Sequence, residues 1–240
     1  MKAGILAAGE GARLRELGSS KPLVRIGAVT LLERTLSMLE AARVDEVTII
    51  VSEAGRDVAR FARGLRLPFP LHVIVQTTPS SLHSLGVLAG QFATPGVATD
   101  DRFLLCTVDS VVAADEFVAF VERFRASPEI DLLLSYTDFV DDEMPLRIAV
   151  AADGRVSAVG PIASASPFVT VGVYGMSHRV LTLSQRMVAE GQTRLRSLLS
   201  RSAELGLRAW GHRFSKALDV DRPTDVEEAE RFLSELRGMP

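Results

Sequence analysis

Leu6-Ala7-Ala8-Gly9-Glu10-Gly11-Ala12-Arg13-Leu14 follows directly on an apolar run that begins at Lys2. A short apolar run without clear alternation is the pattern of a central strand covered on both faces. Two glycines straight after such a strand let the backbone turn sharply and bring its amides against anionic oxygens. Arg13 adds a positive charge, and Lys21-Pro22-Leu23 adds a second cation beside a proline that stiffens the chain. Together these residues describe a cradle for a triphosphate. A glycine pair alone is as readily a plain turn. The dinucleotide fingerprint G-x-G-x-x-G fails at its third glycine, where Leu14 stands. Ser52-Glu53 also lies too far downstream for the ribose-binding acid expected about 20 residues on.

Outward from this loop the chain alternates. A capping-box pattern at Thr30 and Glu33, with Leu32, Leu36 and Leu39 at helical spacing, predicts a helix from Thr30. A strand at Val47 to Val51, a helix carrying Val58, Phe61 and Leu65, and a strand at Leu71 to Val75 follow. Next come a helix around Leu85 to Phe92, a strand at Phe103 to Val108 and a helix with Phe117, Val121 and Phe124. Such alternation predicts a mainly parallel sheet with right-handed crossovers. After Pro128 the chain is richer in strands, at Leu132 to Tyr136, Arg147 to Val150 and Val156 to Val159, the last two joined by an Asp153-Gly154 turn. Helical patterns return at Arg179 to Glu190 and Arg194 to Glu204, and a last helix runs from about Pro223 to Leu236. The expected architecture is a single α/β domain, Rossmann-like, with a mainly parallel mixed sheet and flanking helices.

Composition narrows the chemistry. The 240 residues are 47% hydrophobic, enough for a sizeable core. A formal net charge of −3 argues against a nucleic-acid-binding surface and for small substrates. No apolar run reaches the roughly 18 residues of a membrane span and the N-terminus lacks a signal-peptide pattern, so a cytoplasmic protein without membrane contact is expected. Cys106, the one cysteine, lies in an apolar run without a basic neighbour to activate it and reads as buried. The only lysines are Lys2, Lys21 and Lys216 in an arginine-rich chain, which draws attention to a loop lysine as a compact point charge.

The run from Leu6 to Leu23 resembles the nucleotidyltransferases of the GT-A-like fold, whose signature is L-A-A-G-x-G-x-R-[LM] followed by K-P. This superfamily includes the MobA-like enzymes and the sugar-phosphate and inositol-phosphate nucleotidyltransferases. The resemblance extends over nearly the whole chain. It implies a nucleotide-binding half at about 1–127 and an acceptor-binding half at about 128–240. It also implies that Leu6, Ala7, Ala8, Gly9, Glu10, Gly11, Arg13 and Lys21 hold the nucleotide, Arg13 and Lys21 acting on the triphosphate during catalysis. Gln76 and the segment Ser80-Ser81-Leu82-His83-Ser84-Leu85 are similar to the family's base-reading stretch, with Ser80 and Ser81 at the contacting positions and Ser80 in place of a glycine.

Asp109 ends the strand Phe103 to Val108, and in open α/β sheets ligands gather at the carboxyl ends of strands. An acid there is a turn or helix cap or a metal ligand, and the resemblance implies catalysis through a ligated Mg2+. Asp219-Val220-Asp221-Arg222-Pro223 resembles the family's D-V-D-T-P segment. Asp219 and Asp221 share one face of an extended chain. Both are carried as candidates for the second metal ligand, one of them alternatively capping the last helix. The acidic run Asp138 to Glu143 reads as a solvated loop, and His72, His178 and His212 show no metal-ligand spacing.

By this resemblance the reaction is Mg-dependent transfer of NMP from an NTP to a small phosphorylated metabolite, with release of pyrophosphate. CTP or UTP is favoured, since Asp-Val-Asp before a final helix is similar to cytidylyltransferases. The family's E-K-P lysine, which grips the acceptor phosphate, is absent, because Val159-Gly160-Pro161 stands there. Either another cation replaces it, the acceptor differs, or the protein is a non-catalytic nucleotide-binding subunit. Gly172, on the strand Phe168 to Tyr174, and Lys216, three residues before Asp219, are assigned to the acceptor side. Lys216 reads either as the replacement cation or as a surface lysine.

Overall fold

The computed structural model describes residues 1–9, 20–92, 102–139 and 145–238. Glu10, Gly11 and Arg13 lie outside the described residues. In chain order the elements are β1 (Lys2–Ala7), β2 (Arg25–Ile26), β3 (Val29–Thr30), α1 (Leu31–Ala41), β4 (Glu46–Val51), α2 (Arg56–Gly64), β5 (Leu71–Val75), α3 (Ser81–Phe92), β6 (Arg102–Thr107) and β7 (Ser110–Val112). They continue with α4 (Ala114–Ala126), β8 (Leu132–Thr137), β9 (Ile148–Val150), β10 (Val156–Val159), β11 (Val169–Ser177), α5 (His178–Ala189), α6 (Leu195–Ser200), β12 (Ala209–Arg213), β13 (Ala217–Asp219) and α7 (Pro223–Gly238).

Among the described residues a seven-stranded sheet has the order β12-β8-β11-β6-β1-β4-β5. β1, β4, β5 and β6 are parallel neighbours, and β12 is parallel to β8, while β11 runs against both β6 and β8. Along β1, Ala3, Ile5 and Ala7 face one core and Leu6 the other, as the two-residue period of a strand dictates. The first core takes the apolar faces of α1, α2, α4 and α7, and the second takes those of α3, α5 and α6. Helices on both sheet faces are what the alternating pattern called for.

The Thr30 cap forms as expected. The Glu33 amide donates to Thr30 Oγ1 at 3.1 Å and the Thr30 amide donates back to Glu33 at 2.8 Å. α3 starts at Ser81, four residues before the expected start, and α6 stops at Ser200 rather than Glu204, the chain going on in turns to Gly206, where φ is +66. β12 and β13 went unexpected, because Ala209–Arg213 has no apolar run and Ala217–Asp219 is only three residues long. Cys106 is 1% exposed, and burial alone pushes its thiol up to about 12, so it is an inert core residue. No described helix is long and apolar enough to cross a membrane.

Candidate active site

β1 and β6 are neighbours, and the chain leads from β1 to β4 on one side but from β6 to β8 on the other, the switch-point geometry at which open α/β sheets bind ligands. The register Leu6↔Thr107 brings the ends of β1 and β6 side by side, and the Val108 amide donates to the Leu6 carbonyl at 3.3 Å. The turn to β7 then presents Asp109 next to the start of the glycine loop. A cleft of about 780 Å³ opens here, floored by Leu6, Ala7, Ala8, Gly9 and Asp109.

A short antiparallel ribbon supplies the other acids. β13 pairs with β7 so that Asp219 faces Ser110, and the Val220 amide extends the ladder to the Asp109 carbonyl at 3.1 Å. Val220 is fully buried, which turns Asp219 and Asp221 toward the cleft as alternation requires. The Ser110 hydroxyl donates to Asp219 Oδ1 at 2.7 Å. Asp225, in the first turn of α7, accepts from the amides of Asp221 and Arg222 at 2.8 and 2.7 Å. The capping role expected for one of the two aspartates is thus taken by Asp225, the acid placed where it meets those free amides.

Lys21 begins a 3-10 turn, Lys21–Leu23, with Pro22 buried behind it. Its ammonium lies 2.5 Å from Asp109 Oδ2 and 2.5 Å from Asp221 Oδ1. Burial opposes its charge, but the flanking carboxylates outweigh that and hold Lys21 protonated, above the ordinary lysine value. Burial likewise opposes ionisation of Asp109, and the Lys21 charge overcomes it and keeps the carboxyl below the usual range. Asp219 is exposed to the cleft, and loss of water to the protein around it, then the like charge of Asp109, raise its carboxyl above the usual range. One ammonium therefore does not fully offset three carboxylates. An all-oxygen acidic set short of positive charge suits a divalent cation of the magnesium type. Among the described residues no three His, Cys, Asp or Glu side chains are gathered as a metal cage.

Ser80 and Ser81 line the cleft, with Thr78, Pro79 and Ser84 beside them. Ser80 Oγ is 2.9 Å from His83 Nδ1, Ser84 Oγ is 2.6 Å from Thr78 Oγ1, and Ser81 Oγ accepts the Leu195 amide at 3.2 Å. Gln76 differs from expectation: it is exposed after β5, its amide donates to the Val51 carbonyl at 2.8 Å, and its side chain does not border the cleft. Leu146, Thr170, Gly172, Tyr174, Arg196 and Leu199 also line the cleft. Gly172 serves by having no side chain. Its amide donates to Ser110 Oγ at 3.2 Å, and a Cβ there would come within 1.8 Å of Thr107 Oγ1.

Lys216 lies away from the described lining of the cleft. Its ammonium sits 3.3 Å from Glu228 on α7, over the rings of Phe139 at 4.3 Å and Phe232 at 5.3 Å, and it is not among the described residues lining the cleft. Cation-π contact and an ion pair give it a packing role at the foot of α7. Sequence reasoning passed over Arg196 because one more arginine in an arginine-rich chain carries no signal.

The model of one family, the MobA-like NTP transferase domain, matches residues 3–205, most of the chain. This chain belongs to that family. The MobA-like NTP transferase domain is a nucleotidyltransferase domain, as the glycine loop led us to expect, and the matched stretch holds β1, Lys21 and Asp109 and ends before Asp219. A "Bifunctional IPC transferase and DIPP synthase" of Rubrobacter xylanophilus is 38% identical over 112 residues, 45% of this chain and 24% of that protein. Its namesake in Archaeoglobus fulgidus is 26% identical over 233 residues, 97% of this chain and 44% of that protein. The chain therefore spans less than half the length of these curated relatives. Among solved structures, the inositol-1-phosphate CTP transferase of T. maritima superposes with a TM-score of 0.80 at 20% identity, covering 99% of this chain and 96% of that one. That likeness fixes the fold as GT-A-like.

Proposed function

We propose that this MobA-like domain is a magnesium-dependent cytidylyltransferase, transferring CMP from CTP to a small phosphorylated acceptor, with inositol 1-phosphate the first to test. The observation that carries it is the meeting of Asp109, Asp219 and Asp221 around Lys21 at the mouth of the glycine loop, although the sequence separates the first and last by more than a hundred positions. The base rests on the relatives' names and on Asp219-Val220-Asp221; UTP is the alternative donor. On this reading residues up to about 127 hold the nucleotide and those from about 128 hold the acceptor. The protein works on soluble metabolites in the cytoplasm.

An acceptor phosphate oxygen attacks the α-phosphorus, forming the new P–O bond as the α–β anhydride breaks and pyrophosphate leaves with its electron pair. An ionised phosphate needs no activating base, so the protein acts by alignment and by offsetting charge. The amides after β1 and Lys21 hold the triphosphate, with Arg13, which lies outside the described residues, assigned alongside them. Ser80 and Ser81 border the base. Asp109 with Asp219 or Asp221 would hold magnesium, which when bound withdraws charge from the phosphates.

The test is product formation from CTP, UTP, ATP and GTP with magnesium and inositol 1-phosphate, glucose 1-phosphate or phosphocholine. CDP-linked product from wild type, lost in Asp109→Asn without loss of fold, is expected. No product from any pair, with nucleotide binding intact, would make the chain a nucleotide-binding subunit. The parallel variants Asp219→Asn and Asp221→Asn identify the second ligand as the one that raises the magnesium requirement more.

A further inference from the structure

We infer that Arg196 is the residue that holds the acceptor's phosphate, an assignment that rests on the transferase reading above. The cleft must bind anions on both sides of the reacting phosphorus, yet its described lining offers two cationic side chains, Lys21 and Arg196. Lys21 lies against the carboxylates, between Asp109 and Asp221 and beside the glycine loop. Arg196 lines the same cleft from α6, as Thr170, Gly172 and Tyr174 do from β11. Its charge reaches Tyr174, whose phenol is raised by burial and by Asp219 and lowered by Arg196. The cleft thus offers two separate cations, Lys21 taken up by the carboxylates and Arg196 on α6, and a donor phosphate chain and an incoming phosphate oxyanion call for a cation each.

The short helix that carries Arg196 is fixed from three directions. Leu195, Leu198 and Leu199 are buried in the second core. The Leu195 amide is anchored on Ser81 at 3.2 Å, at the start of α3. One helical turn after Arg196, Ser200 packs against Gly160, where φ is +84 and a Cβ would stand 2.6 Å from Ser200 Oγ. A glycine at 160 thus eases the approach of α6 to the turn after β10, where its φ of +84 disfavours a side chain. Arg196 is exposed and lines the cleft on this rigid base, and the planar donors of a guanidinium suit a phosphate or phosphonate oxyanion.

The experiment uses the full chain with inositol 1-phosphate and CTP, comparing wild type, Arg196→Ala and Arg196→Lys. For Arg196→Ala the acceptor Michaelis constant should rise about 10- to 100-fold, as for loss of a charge-assisted bidentate contact, with that for CTP within about twofold. Arg196→Lys should recover part of the loss. Calorimetric titration of inositol 1-phosphate, inorganic phosphate serving as a second probe, reads binding without turnover and should show the same order of affinities. An equal rise for both substrates, a rise for CTP alone, or wild-type and Arg196→Ala proteins that bind both probes alike overturns the assignment. Failure of wild type to bind either probe overturns it too. Failure of turnover with binding preserved instead strikes at the transferase reading and leaves the Arg196 contact standing.

Discussion

Lys21 and Asp109, 88 residues apart, are joined by a 2.5 Å ion pair that fastens the loop after β1 to the turn after β6. The pair is partly buried, with Lys21 12% exposed, and it shares the ammonium with Asp221. Removing the lysine leaves like charges facing each other and takes away a positioned charge from the phosphates. Lys21→Ala is expected to lower turnover by about 10²–10³. Its melting temperature should fall in the absence of magnesium and recover when magnesium is added. Steady-state kinetics at saturating magnesium, with scanning calorimetry at zero and millimolar metal, check both; unchanged turnover would remove Lys21 from the phosphate cradle.

Gly172 tests the close approach of β11 to the acids. A methyl at this position would press on Thr107 Oγ1 at 1.8 Å and Ser110 Oγ at 2.4 Å, and Ser110 is the donor to Asp219. Gly172→Ala should cost about 1–3 kcal/mol, as overpacking does, and should lower turnover more than tenfold through displacement of Asp219. Adding Thr107→Ala should return part of the stability. Urea unfolding of the single and double variants decides it, and a single variant of wild-type stability would show that the wall yields.

Asp131 ties together the far end of the sheet, away from the cleft. Its carboxylate is 5% exposed, accepts from Arg208 Nε and Nη2 at 3.1 Å each and from Arg179 at 3.2 Å, and also takes the Arg208 amide at 2.9 Å. Burial opposes its ionisation, and the arginine contacts overcome that, so its carboxyl lies below the usual range. Asp131→Asn should destabilise by about 1–3 kcal/mol, with kinetic constants unchanged. Altered substrate constants in a folded variant would contradict this division between frame and site.

His212 sets an acid limit. Burial first, then the charge of Arg123, lower it from 6.5 to about 4, and its Nδ1 is buried without a partner. Between those two values the unfolded chain binds a proton that the folded chain refuses, so stability falls as pH drops through the window. His212→Phe, placed between Phe120 and Phe214, whose ring centres lie 5.4 and 5.7 Å from the imidazole, should flatten that fall. Unfolding free energies measured from pH 7 to 4 give the slope; equal slopes in the two proteins would sink the claim.

Much of this was legible in the residues because the strongest signals are local. The run into Gly9, the Thr30-Glu33 box and the helical stripes of Phe117, Val121 and Phe124 each specify structure within one turn or strand, and each appears where expected. What the sequence hid depends on partners far along the chain. Nothing in Val169 to Ser177 tells that β11 runs against its neighbours, and Trp210 and His212 disguise an edge strand. Lys216 stood out by rarity and proved to be packed on phenylalanines, whereas Arg196 did not stand out and lines the cleft. The domain's three-dimensional neighbours, not the composition of the segment, decide which cation meets a ligand.

The β7–β13 ribbon also has a consequence for the order in which the cleft can be assembled. Leu6 to Gly9 are synthesised before every other described residue that lines the cleft, and Asp219 and Asp221 come last among them. During translation the glycine loop and Asp109 are therefore exposed long before β13 can zip onto β7 and α7 can hold Asp221 through Asp225. A nascent chain stalled short of Asp219 has all seven strands of its main sheet and most of the described cleft lining, but only one of its three carboxylates. Closing such a long-range ribbon is entropically costly and slow. Metal-dependent nucleotide affinity should accordingly appear as a late, steplike event in synthesis rather than grow with chain length.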